Sequence, residues 1–347
     1  MGEMTDSPVY RESLRKVLDI LPVDQPGAAT VLITGATGLI GSAVVDVLLA
    51  SNEFRGTKYR VLAAGRSAER IRERFGARAD LVPVSYDATD AEIHPFKADY
   101  VIHAASNASP DRYMQEPVET MLANFQGLYG LLCQAKAGGV KRLLYVSSSE
   151  VYGAKTKPGA WCEEDAGVVS HLNVRASYAE AKRAAETLAV SYSSEYGLPV
   201  VLVRPGHVYG PTARRSDRRV SSDFAFRAAA GEPLELKSDG AQLRSYCHCL
   251  DCATAILTVL WKGEVRMAYN VSNPDSVITI RRMAELLAAA GDVEVRFGMP
   301  TQAERAAFNP MADSSLCADR LSALGWRGVF SAAEGFAQTV RVLREVK

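Results

Sequence analysis

The sequence has no surplus of charge of either sign: among its 347 residues, 40 Lys and Arg balance 40 Asp and Glu. That removes the basic surface on which nucleic-acid binding normally depends. It has no long hydrophobic run; the longest are strand-length, far short of the roughly 20 residues that a membrane helix needs. The opening stretch, MGEMTDSPVYRESLRK, lacks the apolar core of a secretion signal. Cysteine is sparse, six scattered residues without small-scaffold spacing, so a reducing cytoplasm is expected rather than a disulfide framework. Internal repeats and low-complexity tracts are missing too. What is present is an ordinary globular balance, 48% hydrophobic and 23% charged, which excludes general disorder. The length suits one large domain or two closely joined ones.

Residues 1–28 are mostly polar, with Pro8, Pro22 and Pro26. Between the first two prolines, Leu14, Val17, Leu18 and Leu21 recur at helical spacing, which predicts a short surface helix ahead of the domain. From Ala29 the pattern alternates. Strands are expected at 30–34, 59–64, 81–84, 100–103, 142–147 and 200–204. Helices are expected at 42–50, 68–75, 121–137 and 178–196. Strands alternating with helices imply a parallel sheet covered on both faces. After about Pro205 the alternation breaks down, and later helices at 280–290 and 332–344 sit among short strands. The expected organisation is therefore an extension over 1–28 and an α/β domain over 29–204 with a returning segment near 250–280. A smaller α/β lobe is expected from 205–249 and 281–347.

The segment TGATGLIG (34–41) places Gly35, Gly38 and Gly41 three apart, between a predicted strand and a predicted helix. Glycine permits the positive φ of a tight turn. It also lets the backbone approach a pyrophosphate lying on the positive end of the helix. In that context the motif reads as a dinucleotide-binding turn. The end of the second strand carries Gly65-Arg66-Ser67 where an NAD site usually has an acid. Arg66 is suited to a 2′-phosphate, to stacking on adenine, or simply to solvent, so NAD and NADP both remain open. Asp87 is placed to meet the adenine amino group.

Tyr178 and Lys182 form Y-x-x-x-K, and residues four apart share one helical face. An ammonium beside a phenol favours the phenolate and is expected to lower its pKa from about 10 towards neutrality. Such a tyrosine takes a proton from a carbinol while hydride leaves to a nicotinamide. Upstream, Ser147-Ser148-Ser149-Glu150 follows a strand at the edge where parallel sheets place ligands.

Glycine turn, serine cluster and Tyr/Lys helix in this order resemble the extended short-chain dehydrogenase/reductases of the nucleotide-sugar epimerase/dehydratase family. The resemblance covers about residues 30–347. It is carried by TGATGLIG (34–41), HAAS (103–106), Asn124 with Gly127, SSSEVYG (147–153), YAEAK (178–182), RPGHVYGP (204–211) and QLRSY (242–246). It implies a Rossmann-type doubly wound sheet with a smaller C-terminal substrate lobe. Ser148, Tyr178 and Lys182 become the implied catalytic triad, with Glu150 beside them and Asn124 as the structural asparagine. The implied dinucleotide contacts are Gly35, Thr37, Gly38, Leu39, Ile40, Arg66, Asp87 and Ala88. Ala104, Ala105 and Pro205 complete them, together with Tyr178 and Lys182. The implied substrate contacts are Ser106, Pro110, Tyr113, Ser149, His207 and Arg244. A homodimer through a four-helix bundle is implied as well.

Three stretches are similar to UDP-glucuronate decarboxylases. ASPDRYMQEPVET (108–120) resembles their substrate loop through Pro110, Tyr113 and Pro117. Ser149-Glu150 matches their S-E pair, whereas dTDP-glucose-type 4,6-dehydratases carry D-E. RASYAEAKRAAET (175–187) follows their catalytic helix, with Ser177 in place of a Cys. Two departures stand against these: His207 replaces an Asn, and Asn309-Pro310-Met311-Ala312-Asp313 replaces an Arg followed by K-P-D. Decarboxylation of UDP-glucuronate with internal NAD recycling is thus the leading expectation. A 4-epimerase, a 4,6-dehydratase and an NADP-dependent ketosugar reductase are the alternatives. Arg214, Arg215, Arg218 and Arg219 read equally as a diphosphate clamp or a solvated loop. No metal is expected: Cys247, Cys249 and Cys252 lack paired-knuckle spacing. His103 reads as packing near the cofactor, Glu163 to Asp165 as an exposed loop and Trp161 as a surface anchor.

Overall fold

The structure, a computed structural model, describes residues 4–21, 25–90, 95–301 and 311–346. Its first strand, β1 (Ala28–Thr34), alternates little and is buried along most of its length, as a central parallel strand must be. It leads through the glycine turn into α2 (Leu39–Arg55), ahead of which lies α1 (Pro8–Leu18). The chain then runs through β2 (Lys58–Gly65), α3 (Ala68–Phe75) and β3 (Leu81–Ser85). It crosses to the other side of β1 with β4 (Tyr100–His103), followed by α4 (Pro110–Gln115), α5 (Pro117–Ala137), β5 (Arg142–Val146), α6 (Ala176–Tyr196) and β6 (Val200–Pro205).

After β7 (His207–Tyr209) come α7 (Val220–Ala230), β8 (Leu234–Leu236), β9 (Leu243–His248), α8 (Cys249–Lys262) and β10 (Ala268–Val271). The central sheet has seven parallel strands in the order β10-β6-β5-β4-β1-β2-β3. Direction reverses between β1 and β4, so the crevice beyond their carboxyl ends is the switch point where such sheets bind ligands. α1, α2 and α8 pack one face and α5 and α6 the other.

The remaining elements are β11 (Val277–Thr279), α9 (Ile280–Gly291), β12 (Val295–Phe297), β13 (Asp313–Ser314), α10 (Asp319–Ser322) and α11 (Ala332–Glu345). β9 centres a small sheet, flanked by β7, β11 and β13. α7, α9 and α11 build a third apolar cluster around Phe224, Met283, Leu287 and Phe336.

Two elements depart from the sequence reading. α1 is no surface appendage: Tyr10, Leu14, Val17 and Leu18 are buried against α2, α8 and α11. Inside that contact Tyr10 donates to Asp46 Oδ2 at 2.6 Å, and Asp46 also pairs with Arg74 at 2.5 Å. Pro22 lies outside the described residues. α8 was not read from periodicity, because burial along nearly its whole length blurs the period that betrays a surface helix, although the resemblance implied a strand running into a helix at Cys247–Cys252.

Candidate active site

The glycine turn is built for close approach. Gly35 has φ +68°, and a Cβ there would lie 2.8 Å from Ala104 O. A Cβ on Gly41 would lie 2.3 Å from Gly35 O. Gly38 caps α2 without any side-chain hydrogen bond, so the first amides of the helix face outward unmet. This cradle fits a dinucleotide pyrophosphate, which Gly35, Thr37, Gly38, Leu39 and Ile40 would hold through backbone groups. Behind the turn, Thr34 Oγ1 accepts from the amides of Ala104 and Ala105 at 3.2 and 3.3 Å. It meets His103 Nδ1 at 2.7 Å. Burial, and then the charge of Lys182, pushes His103 down to about 3, so the ring is neutral and braces the turn by packing.

The residues expected to be catalytic come together where β5 ends. Ser148 caps a short 3-10 turn, its Oγ accepting from Glu150 N at 3.2 Å. Tyr178 and Lys182 stand on one face of α6, Tyr178 stacked on Tyr113 with ring centroids 5.3 Å apart. Lys182 Nζ donates to Val146 O at 2.8 Å and lies 5.8 Å from the Tyr178 ring centroid. The electrostatics reverse the expected order. Burial raises Tyr178 to about 12, the Ser148 hydrogen bond opposing and Glu150 assisting. Burial likewise lowers Lys182 to about 7, with Glu186 opposing. The phenol therefore keeps its proton here, and the amine is the group poised near neutrality.

Asn124 is fully buried in α5, its Nδ2 donating to Thr120 O at 2.8 Å and its Oδ1 accepting from Tyr145 at 3.2 Å. The predicted substrate loop is instead two helix starts. Pro110 opens α4 and Pro117 opens α5, because proline is pre-organised for the first helical position and its missing N–H costs nothing there.

A cleft of about 440 Å³ lies between the sheet edge and the smaller lobe. It brings together Ile40, Pro110, Tyr113, Ser148, Ser149, Glu150, Tyr178, Pro205, His207 and Arg244. Glu150 is paired with Arg175 at 3.6 Å. Arg244 is only 2% exposed, yet among the described residues no carboxylate lies within ion-pair distance of it. It donates to Leu243 O at 2.8 Å, and burial pushes its pKa down. His207 is pushed down to about 3 by burial and by Arg244 and Arg219, and its Nδ1 has no hydrogen-bond partner among the described residues. A buried guanidinium with no ion-pair partner among the described residues, beside a neutral imidazole, has the chemistry to hold an anion.

The other anticipated contacts sit around the cleft. Ser106 Oγ is buried without a hydrogen-bond partner among the described residues, while Arg66, Asp87 and Ala88 lie beyond the carboxyl ends of β2 and β3. Asn309 and Pro310 lie outside the described residues. The arginine-rich stretch divides: Arg218 and Arg219 line the cleft, Arg215 lies over the Phe226 ring, and Arg214 reaches the glycine turn.

Trp161 proves to be buried, stacked on Tyr152 at 5.1 Å. Glu163 is no idle loop residue: its carboxylate accepts from Asn270 N and its carbonyl from Arg204, each at 2.8 Å. The Cys247, Cys249 and Cys252 thiols are buried and pushed up, Cys249 to about 12. Among the described residues no metal-binding group of three or more side chains forms. Sequence reading assigned no role to Arg175, although it stands three residues before Tyr178 and so on the same face of the helix. Phe224, Gln242 and Tyr246 also line the cleft; the last two bound the QLRSY stretch that carries the resemblance but were given no role, and no local signal announces Phe224.

Comparison with known proteins agrees with this geometry. The NAD dependent epimerase/dehydratase family matches residues 31–272. UDP-glucuronic acid decarboxylase 1 of Xenopus tropicalis is 30% identical over 91% of this chain and 72% of its own. UDP-glucuronic acid decarboxylase 6 of Arabidopsis thaliana is 32% identical over 77% of this chain and 76% of its own. Among solved structures, the Thermotoga maritima UDP-glucose 4-epimerase with UDP-glucose superposes with a TM-score of 0.76 at 25% identity, covering 91% and 99% of the two chains. The Streptomyces venezuelae dTDP-glucose 4,6-dehydratase with NAD bound gives 0.76 at 27% identity, covering 91% and 97%.

Proposed function

The chain belongs to the NAD-dependent epimerase/dehydratase family, and we propose that it decarboxylates UDP-glucuronate, using one dinucleotide over and over. The observation that carries this reading is the Glu150 carboxylate in the same cleft as Ser148 and Tyr178, with serine rather than an acid at position 149. A simple reductase needs no carbon acid–base group, and a 4,6-dehydratase of the dTDP-glucose type has an additional acid at that point.

When bound, the dinucleotide accepts hydride from C4 of the sugar and later returns it. The Tyr178 phenol is protonated at rest, so it takes the C4 hydroxyl proton only after passing its own proton to the neutral Lys182 amine, with Ser148 holding the same oxygen. Lys182, titrating near about 7, exchanges protons readily at neutral pH. The resulting ketone lies β to the C6 carboxylate. The C5–C6 bond then breaks, CO₂ leaves, and the electron pair is held as the C4 enolate. Glu150, or a water that it orients, delivers one proton to C5, and Tyr178 gives its proton back to O4. Arg175 keeps Glu150 in place, and Arg244, Arg218 and Arg219 supply positive charge for the diphosphate.

Further support comes from the surface. Val118, Met121, Leu122, Phe125 and Tyr129 make an exposed apolar stripe along α5, which packs beside α6. We take this stripe as the face through which two copies form a four-helix homodimer. None of the six cysteines is in a disulfide, which supports a reducing cytoplasm. Among the described residues no helix is long and apolar enough to cross a membrane.

The test is to supply UDP-glucuronate and other UDP- and dTDP-sugars without added cofactor and to read products by mass spectrometry. Loss of CO₂ supports the proposal. Loss of water identifies a dehydratase, unchanged mass with altered retention an epimerase, and a stoichiometric NADPH demand a reductase. Glu150→Gln should slow loss of CO₂ and C5 protonation more than C4 oxidation; equal slowing of both would remove its assigned role.

A further inference from the structure

The adenosine end of the dinucleotide groove carries a feature that the family name does not account for. The glycine turn touches the end of β2, Ala36 N donating to Ala64 O at 3.1 Å. Two residues further on is Arg66, and one helical turn beyond that is Arg70, just inside α3. From the other lobe, 177 positions away, Arg214 donates through Nε to Thr37 O at 2.9 Å and through Nη2 to the Thr37 hydroxyl. Desolvation first, and then the charges of Arg70 and Arg66, pushes Arg214 below the ordinary arginine range, so positive charge from both lobes gathers at this end of the groove.

Carboxylates do not offset this charge. Among the described residues, none of the three arginines has a carboxylate within ion-pair distance. Asp87 feels the charge of Arg66, but its Oδ1 is taken by Thr89, through N at 3.0 Å and Oγ1 at 2.8 Å. Glu69 sits exposed in the first turn of α3. Like charges gathered without a counter-ion cost free energy, and a dianion among them removes that cost.

We propose that Arg66, Arg70 and Arg214 form a subsite for the 2′-phosphate of the adenosine ribose, so that this chain selects NADP over NAD. The carboxylate that an NAD site places at this strand end, to hold the ribose hydroxyls, is replaced here by Gly65-Arg66-Ser67. An acid in that position repels a phosphate; an arginine fork binds it. The selection concerns only the anchoring end of the dinucleotide and leaves internal hydride recycling as it was.

This inference rests on the dinucleotide reading of the groove, and the test separates the two. Nucleotide-free protein is titrated calorimetrically with NADP⁺, NAD⁺, 2′,5′-ADP and 5′-ADP, and nucleotide carried through purification is identified by mass spectrometry. NADP⁺ should bind at least ten-fold more tightly than NAD⁺, and 2′,5′-ADP more tightly than 5′-ADP. Arg66→Ala and Arg70→Ala should each weaken NADP⁺ several-fold and leave NAD⁺ unchanged, with melting temperatures showing that the exposed substitutions do not unfold the chain. Equal affinity for the two dinucleotides, or loss of both together in the variants, overturns the subsite. Failure of every nucleotide to bind removes the dinucleotide reading itself.

Discussion

Lys182 offers a test of what the cleft costs the fold. Its amine is 2% exposed and its pKa falls from 10.5 to about 7. Each unit is 1.36 kcal/mol, so burying the charged form costs roughly 5 kcal/mol. The sign follows from linkage. Between pH 7 and 10.5 the unfolded chain holds a proton that the folded chain has released, so the cost shrinks as pH rises. Below pH 7 it is present in full. Lys182→Met removes the amine and keeps most of the volume, losing the hydrogen bond to Val146 O, worth about 1 kcal/mol. The variant should therefore be more stable than the parent by roughly 3–4 kcal/mol at pH 7, narrowing by about 1.4 kcal/mol per pH unit to about 1 at pH 9.

Urea unfolding of both nucleotide-free proteins at pH 7, 8 and 9 reads this directly. The window avoids His103, which Lys182 helps to depress and which titrates below it, and Tyr178, which titrates above it. A difference that stays flat with pH would refute the reasoning, because it would mean that the amine is solvated in the folded chain. Turnover should vanish in the variant at every pH, the usual trade between a functional group and stability.

Gly41→Ala should weaken dinucleotide binding more than ten-fold by calorimetry and cost about 1–3 kcal/mol in urea, since the new methyl would stand 2.3 Å from Gly35 O. Tyr10→Phe should cost about 1–3 kcal/mol, because it removes a buried donor from Asp46; an unchanged urea midpoint would show that α1 is not locked to α2. Phe125→Glu should convert the expected dimer to a monomer in sedimentation velocity, and a parent protein that sediments as a monomer would remove that interface.

The chemistry of the chain was legible where it is local. Three glycines three apart, Tyr178 and Lys182 four apart, and a serine run after an apolar strand are short-range patterns with one structural meaning each. Their order along the chain yields the parallel sheet and places the glycine turn, Ser148, Tyr178 and Lys182 at one edge of it. Helix α8 was legible only through the family resemblance, because burial along nearly its whole length blurs its period, and α1 was misplaced because an amphipathic stripe does not say what covers it. Only the folded chain decides that Arg214 meets Thr37 and that Arg244 has no carboxylate within ion-pair distance among the described residues. The Tyr178 and Lys182 pKa values follow the same rule. Spacing brings the two side chains to one face, but it is the surrounding apolar matter, gathered from distant segments, that withdraws water and sets which of them holds the proton.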